Sequence, residues 1–385
     1  MAAAALLALS IAGVAPASAA TGVSVVTAGL DSPRGVALSH GDVLVAEAGH
    51  GGDICIPNAI FGTNCIGLNS QISVVEAGSG EHHPLISHLF SSLLGGAETL
   101  GVSGIATRGD SVLAILCEYP QQFASINCTG MPADCAEVKA AALAQAGQLI
   151  SVNGDGHLKA LGSVGGFDFD FTAEIPDQEH DSNPYGVLPS GDGDALVADA
   201  GSNSLNLVSD DGISVVHYFH FAPPAGTFPS DAVPTCVVRA GGKLWVADLS
   251  GRLFRIQGGA ATQVTVADSG GTGLLHHVTN CTSVAAREEG DADSSDSSGA
   301  TIFLVNMWTT PGFPSPNTGS VVRFDVATGQ ASVVASKLNF PNGIAAVSTH
   351  TLYVSANSIC PASGGPPAEC GFMGHTSGLL LKITD

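Results

Sequence analysis

Basic residues are scarce in this chain of 385 residues. It has 12 lysines and arginines against 34 aspartates and glutamates, giving a formal net charge of −22 at pH 7. A phosphate-binding surface has to be basic, so the composition argues against a nucleic-acid partner. It also argues against adsorption to anionic lipid, and it is typical of a highly soluble exported protein.

Helix signals and catalytic signatures are also few. Only AEVKAAALAQAG (136–147) has the pattern of a short helix. The sequence lacks a Gly-x-Ser-x-Gly elbow, a phosphate loop and a His-Glu-x-x-His motif, which argues against several common hydrolase and nucleotide-binding classes. No segment beyond the N-terminus is long and apolar enough for a membrane helix.

The N-terminus, MAAAALLALSIAGVAPASAATG, has a short apolar run that ends in small residues. This pattern predicts a signal peptide over 1–20, although the usual basic residues ahead of the run are missing. We therefore expect a secreted mature chain over 21–385, or a periplasmic or cell-surface one in a Gram-negative-type cell.

What the sequence does contain is a repeat. An element with a central small residue occurs six times, as SPRGVA, GVSGIA, NPYGVL, VPTCVV, NCTSVA and FPNGIA. Each copy precedes a second short apolar run, such as VLVAEAG or ALVADAG, and then a third. The clearest fourth runs, ISVVHYF, ATQVTVA and ASVVASK, follow tight turns of the DG, GG or TG type.

Repeats of four short antiparallel strands are typical of β-propeller blades. The sixth copy has only three strands, and VSVVTAG (23–29), ahead of the first copy, provides the fourth. The pattern thus predicts an all-β, single-domain, six-bladed β-propeller of four-stranded antiparallel blades, closed by pairing the N-terminal strand with the C-terminal blade.

Nine cysteines fit an oxidising compartment. Three pairs lie close together in loops and predict local disulfides: Cys55 with Cys65, Cys128 with Cys135, and Cys360 with Cys370. Cys117, Cys236 and Cys281 are left over, so at least one is free or intermolecular. Their spacing does not favour a zinc site.

The strand pattern resembles that of NHL, SMP-30 and strictosidine-synthase-like propellers. SPRGVA…VAEAG, DSNPYGV, VADAGSNSL and PTCVV…LWVADLSG resemble the ScyD/ScyE family of secreted propellers in particular. The resemblance covers the mature chain and implies fold and export more than a reaction. The chain departs from that family in its cysteine-bracketed loops and in REEGDADSSDSSG (287–299), which we interpret as a disordered surface loop.

In a propeller the first strands line the channel, and the loops that enter them meet at one mouth, where a site is expected. Aligning the first strands places six residues there: Arg34, Ser103, Tyr185, Thr235, Thr282 and Asn342. The SMP-30 resemblance implies a divalent cation held by Glu, Asn and Asp. Only Asn342 fits that pattern, and Arg34 would repel a cation.

Oxygen donors also follow the second strands, at Glu47, Asp199, Asp248 and Asn306. Hard oxygen ligands suit Ca²⁺, so these residues are one candidate cation site. The alternative is that they cap turns and bond loop amides.

An acidic approach, FDFDFTAEIPDQEHDSNPYG (167–186), leads into the third first strand. It contains His180, Asp181 and Asn183, so either a general base or a solvated loop is consistent with it. His276 and His277 precede the fifth first strand, and with His180 they are a candidate transition-metal set.

The leading hypothesis is a monomeric propeller that binds a small organic or cell-envelope ligand at the channel mouth. Arg34 would supply positive charge, and the polar candidates are Glu47, Asp181, Asn183, Tyr185, Asp199, Asp248, Asn306 and Asn342. One alternative is an extracellular lactonase-like hydrolase or lyase that uses a divalent cation such as Ca²⁺ at the same mouth. A second is a protein-interaction scaffold, which would show an exposed apolar patch.

Overall fold

The computed structural model describes residues 22–58, 62–176, 178–220, 231–268, 273–284, 300–312, 314–365 and 367–385. The predicted signal peptide (1–20) and the acidic insertion (287–299) lie outside the described residues.

Strands account for most of the described chain. In order they are β1 (Gly22–Leu30), β2 (Pro33–Ser39), β3 (Asp42–Glu47), β4 (Ile54–Asn58), β5 (Gly62–Val75), β6 (His82–Leu94), β7 (Glu98–Leu100), β8 (Val102–Arg108), β9 (Ser111–Leu116), β10 (Gln148–Val152), β11 (Leu158–Ser163), β12 (Pro184–Pro189), β13 (Ala195–Asp199), β14 (Ser204–Ser209), β15 (Gly212–Tyr218), β16 (Pro234–Ala240), β17 (Lys243–Asp248), β18 (Leu253–Gln257), β19 (Ala260–Val264), β20 (Ala267–Asp268), β21 (Val278–Val284), β22 (Thr301–Asn306), β23 (Gly319–Asp325), β24 (Gln330–Leu338), β25 (Ile344–Ser348), β26 (Thr351–Ala356) and β27 (Gly378–Thr384). The helices are α1 (Cys135–Gln145), α2 (Val164–Thr172) and α3 (Pro367–Cys370), with short 3₁₀ turns at Pro120–Phe123 and Gly191–Gly193.

These strands form six sheets, each built around four antiparallel strands, which fits the six predicted blades. Blades one to four follow the chain as β2-β3-β5-β6, β8-β9-β10-β11, β12-β13-β14-β15 and β16-β17-β18-β19. Blade one also carries β4 and β7, and blade five, β21-β22-β23-β24, carries β20 at its edge. Blade six is β25-β26-β27-β1, so its outer strand comes from the other end of the chain.

The first strand of each blade contacts the first strand of the next, and β25 in turn contacts β2. Glycine permits this close approach. A Cβ atom on Gly35 would lie 2.4 Å from the carbonyl oxygen of Ser103, and one on Gly343 would lie 2.1 Å from that of Arg34. Small residues are therefore required on the inner strands, as the repeat predicts.

All three predicted disulfides are present, and Cys236 and Cys281 form a fourth. The fourth joins β16 to β21, the inner strands of blades four and five. Cys117 is the free cysteine, and it is buried.

The predicted helix over 136–147 is α1, whereas the structure corrects our reading of the acidic approach. Its first part, which we expected to be loop, is α2. The alternation in FDFDF is not helical, and two glycines precede it, so the local sequence gives no helix signal. Tertiary contacts dominate, because the side chains of Ser204 and Asn206 on β14 hold the carboxyl group of Asp168.

Candidate functional site

Six residues, here called the axial ring, lie where the inner strands begin, five of them as the second residue of the strand and Asn342 two residues ahead of β25: Arg34, Ser103, Tyr185, Thr235, Thr279 and Asn342. Five of them are those predicted. In blade five the strand pairing places Val278 opposite Asn306, just as Pro234 lies opposite Asp248 in blade four. The ring residue is therefore Thr279, and our choice of Thr282, three residues further along β21, was wrong.

A hydrogen bond crosses the channel between opposite blades. Nδ2 of Asn342 in blade six donates to the Tyr185 hydroxyl of blade three over 2.6 Å. Asn342 Oδ1 is buried with no partner among the described residues. Tyr185 is 8% exposed and Asn342 is fully buried, so the ring spans the channel and is shielded from bulk water.

Arg34 is the cationic member of the ring, and it is only 3% exposed. Its Nη2 donates to the backbone oxygen of Thr99 over 2.5 Å and contacts the Thr99 hydroxyl at 3.5 Å. Within the described part of the chain, no carboxylate lies within 4 Å of this guanidinium. Arg34 is therefore a buried positive charge without an acidic partner, and it forms no salt bridge across the channel to Glu47 or Asp199.

Two other groups near the ring respond to this environment. Burial raises the pKa of the Cys117 thiol to about 12, although the Ser103 hydrogen bond and the positive charge of Arg34 oppose the rise. Burial likewise raises the pKa of Tyr185, against the opposing effect of Arg34. Both groups are accordingly neutral at physiological pH.

A cavity of about 270 Å³ lies on the axis, next to the ring. All six inner strands line it, over residues 36–38, 104–107, 186–188, 236–238, 280–283 and 344–346. Gly104 and Gly186 directly follow the ring residues Ser103 and Tyr185, so the cavity lies on the far side of the ring from the loops that enter the inner strands. The Cys236–Cys281 disulfide forms part of its wall.

The second-strand candidates do not form a common site, because each bonds within its own blade. Glu47 accepts hydrogen bonds from the backbone N–H of Asp31 at 2.6 Å, from Gln71 at 2.7 Å, and from the Ser73 hydroxyl. Burial raises its pKa, and these hydrogen bonds counteract the effect.

The other three second-strand candidates, Asp199, Asp248 and Asn306, also bond within their own blades. Asp199 accepts from the Ser182 hydroxyl at 2.5 Å and from three backbone N–H groups at 2.8–3.0 Å. Asp248 pairs with Arg252 at 2.5 Å, and burial raises its pKa to about 6. Asn306 bonds the backbone of His276 and Leu274. These contacts correspond to the turn-capping alternative.

Buried carboxyl groups gather where blade three meets the loops of blade two. Burial and the negative charge of Asp199 raise the pKa of Asp168 to about 9 and that of Asp181 to about 7. Burial also raises the pKa of Glu118, which accepts from Asn64 at 3.1 Å and Ser92 at 2.9 Å. Asn183 connects the group, since its backbone N–H donates to Asp199.

The sequence reasoning missed Glu118, and also Thr99, the partner of Arg34. In blade two the position of Glu47 and Asp199 is occupied by Leu116, and Glu118 lies two residues beyond it. The repeat therefore gave no signal for Glu118. Nothing in the local sequence points to Thr99.

The three candidate metal histidines do not meet in one cluster. His180 stacks on Phe169 with ring centroids 3.6 Å apart, and His277 stacks on Trp308 at 3.8 Å. Burial lowers the pKa of His276 and of His277, which favours their neutral forms. Among the described residues, no three His, Cys, Asp or Glu side chains are arranged to hold a metal ion.

No protein-family model and no curated protein matches the chain. Among solved structures, the chain is similar to a protein of unknown function from Bacteroides thetaiotaomicron, with 10% identity and a TM-score of 0.54 over 95% of this chain and 76% of that one. It is also similar to a virginiamycin B lyase from Staphylococcus aureus, with 12% identity and a TM-score of 0.45 over 95% of this chain and 99% of that one. A gluconolactonase from Xanthomonas campestris is similar as well, with 10% identity and a TM-score of 0.49 over 94% of this chain and 89% of that one. Identities this low concern the fold alone, and the two TM-scores below 0.5 support no statement on activity.

Proposed function

We propose that this protein is a secreted, closed six-bladed propeller that binds a small organic anion on its channel axis. The single observation that carries the proposal is Arg34, a buried guanidinium with no carboxylate partner among the described residues. In this proposal the anionic group of the ligand pairs with Arg34 in the axial ring. The axial cavity of about 270 Å³ adjoins the ring, and Arg34 is not among its lining residues.

The energetics of burial support an anionic ligand. A desolvated charge without a counter-ion is costly, and an anion that forms charge-assisted hydrogen bonds with it offsets that cost. Asn342 Oδ1, which is also unpartnered, would accept a hydrogen bond from a hydroxyl or amide of the same ligand. Asp181, Asn183 and the second-strand residues then support the loops rather than contact the ligand.

The disulfides and the sheet contacts support the remaining parts of the proposal. Four disulfides are typical of an oxidising compartment, and this favours export. No helix in the described chain is long and apolar enough to cross a membrane. The contact of β25 with β2 and the pairing of β1 with β27 favour a closed ring. A ring of this kind leaves no inner edge to pair with a second copy, so we propose a monomer.

Thermal unfolding provides the test. Small aliphatic and aromatic carboxylates are compared with their uncharged amides, each added to wild type, Arg34→Gln and the control Arg239→Gln. Arg239 is an exposed arginine on β16. A carboxylate at a hundred times its Kd should stabilise wild type and the control by about 2.7 kcal/mol, and Arg34→Gln should lose this effect.

Two results would overturn the proposal: equal stabilisation of wild type and Arg34→Gln, or no stabilisation of wild type by any carboxylate in the panel. Arg34→Gln is expected to fold, because it removes a buried charge rather than one partner of an ion pair.

The two alternatives have less support in the described chain. The oxygen donors that a lactonase-like site would need already bond their own blades, and a tightly held divalent cation in the purified protein would favour that alternative instead. A scaffold would show a contiguous apolar patch, whereas the exposed large apolar residues of the described chain lie in four separate elements and one loop: Leu143, Leu158, Val333, Val347 and Met373.

A further inference from the structure

A second cavity, of about 500 Å³, lies between blades one and two and shares no lining residue with the axial cavity. One wall is the segment 50–54 with residues 66–69 of β5, and the other is the start of α1. The Cys55–Cys65 disulfide ties the first wall, and Cys128–Cys135 ties the second. Because both walls are covalently tied, this side cleft is preorganised.

A histidine–carboxylate pair stands at the side cleft. His50 lines it, and its Nδ1 lies 2.6 Å from Oδ2 of Asp31. Asp31 is 8% exposed, and its other oxygen accepts the backbone N–H of Ala362 at 3.2 Å. The backbone N–H of His50 is held by Asn69 at 2.9 Å.

This geometry favours one tautomer of the histidine. A carboxylate that accepts the Nδ1 proton leaves Nε2 as the basic nitrogen of the neutral ring. The His50 side chain is 56% exposed, and its Nε2 has no hydrogen-bond partner among the described residues. A general base needs a free, oriented nitrogen of this kind within reach of a substrate.

Hydrogen-bond donors accompany the base. Gly52 and Asp53 line the side cleft, and their backbone N–H groups have no acceptor in the described chain. Unpaired N–H groups beside a base can stabilise the oxyanion that forms when a carbonyl is attacked.

The charges of the side cleft define the substrate further. Asp53, Asp134 and Glu137 line it and are exposed, and no basic side chain lies within 4 Å of them in the described residues. Carboxylates on both walls favour a substrate with a positive charge and disfavour an anion.

We propose that the side cleft is a second, hydrolytic site for small esters that carry a cationic group. His50 Nε2 takes a proton from water, and the water oxygen forms a bond to the ester carbonyl carbon. The bond from that carbon to the alkoxy oxygen then breaks, and the proton on Nε2 passes to the departing alkoxide. An acid and an alcohol are released, and His50 is regenerated. Asp31 is a positioning residue that holds the ring through Nδ1.

The test compares acetylcholine with 3,3-dimethylbutyl acetate, which has the same shape without the charge, by titrating the released acid at constant pH. Wild type should hydrolyse acetylcholine about a hundred-fold faster than His50→Gln. The control His350→Gln, an exposed histidine in a distant turn, should match wild type. The cationic ester should react about five-fold faster than the neutral one, and Asp53→Asn with Glu137→Gln should remove that preference.

Arg239→Gln should leave this hydrolysis unchanged. The side cleft shares no lining residue with the axial cavity, so failure here and failure of the axial proposal are distinguishable. Asp31→Asn should lower kcat with little change in KM. In nitrogen-15 NMR spectra it should also shift His50 away from the tautomer protonated at Nδ1, a change that a purely structural role for Asp31 would not produce. Hydrolysis of neither ester above buffer, or an undiminished rate in His50→Gln, would overturn the proposal.

Discussion

Asp168 and Asp199 form a buried pair of carboxyl groups beneath the loops of blade three, and both are fully buried. Asp168 Oδ1 has no hydrogen-bond donor among the described residues. Burial and the negative charge of Asp199 raise the pKa of Asp168 to about 9, so Asp168 keeps its proton at neutral pH.

This pair predicts a pH-dependent stability. The folded pKa of Asp168, about 9, lies above the ordinary value of 3.8. The contribution of Asp168 to the unfolding free energy is therefore fully present below about pH 4 and is lost as the pH rises through about 9. Wild type should lose unfolding free energy as the pH rises from 7 to 9, and Asp168→Asn should lose about 1–3 kcal/mol less over the same range.

Urea unfolding at pH 5, 7 and 9 measures this effect. Asp170→Asn is the matched control, because Asp170 is exposed on the same helix. Equal slopes for wild type and Asp168→Asn above pH 7 would show that Asp168 is already ionised at neutral pH.

At the scale of the element, the sequence predicted the six repeated blades more accurately than it predicted how the inner strand of blade five aligns with the others. The six copies could be read because each inner strand needs a small residue and each second strand is a continuous apolar run. Blade five was misaligned by three residues because NCTSVA resembles VPTCVV in composition. What fixes the alignment is the pairing of Val278 with Asn306, a contact between segments 28 residues apart that local sequence does not encode.

The same limit applies to the candidate site. Arg34, Tyr185 and Asn342 were found because they occupy equivalent places in the repeat. The sequence did not predict that Asn342 bonds Tyr185 across the axis or that Arg34 bonds the backbone of Thr99. These contacts depend on side-chain directions that only the assembled sheets determine.

The disulfides give a prediction at this scale. Cys236–Cys281 closes a loop of 45 residues and Cys55–Cys65 one of 10. By loop-closure entropy, replacing the first pair with serines should cost about 4 kcal/mol of unfolding free energy and the second about 2.7 kcal/mol. Denaturant unfolding of the two double variants checks the order, and the reverse order would mean that loop length does not set their contributions.

For the whole molecule, blade six depends on both ends of the described chain. β1 pairs with β27 along its length, from Gly22 opposite Thr384 to Leu30 opposite Gly378. The fully buried apolar residues of β27, Leu379, Leu381 and Ile383, pack in the same core cluster that Val23 and Val25 of β1 contact.

Removing residues 1–30 should therefore destabilise the protein by several kcal/mol, at about 2 kcal/mol for each buried apolar side chain lost or uncovered. Removing only residues 1–21 leaves β1 intact and is the control. Calorimetry of both truncations measures the difference. Similar unfolding temperatures would mean that β1 contributes little to blade six.

The pairing of β1 with β27 also sets the order in which the molecule can be assembled. During synthesis from the N-terminus, β1 is among the first strands to leave the ribosome, and its partner is made about 350 residues later. Until then β1 has an apolar face and an unpaired edge, and none of blades one to five contains it. We therefore expect the pairing of β1 with β27 to be a late step of folding. A chaperone that binds nascent chains should therefore bind residues 22–30 in particular, before β27 has been synthesised.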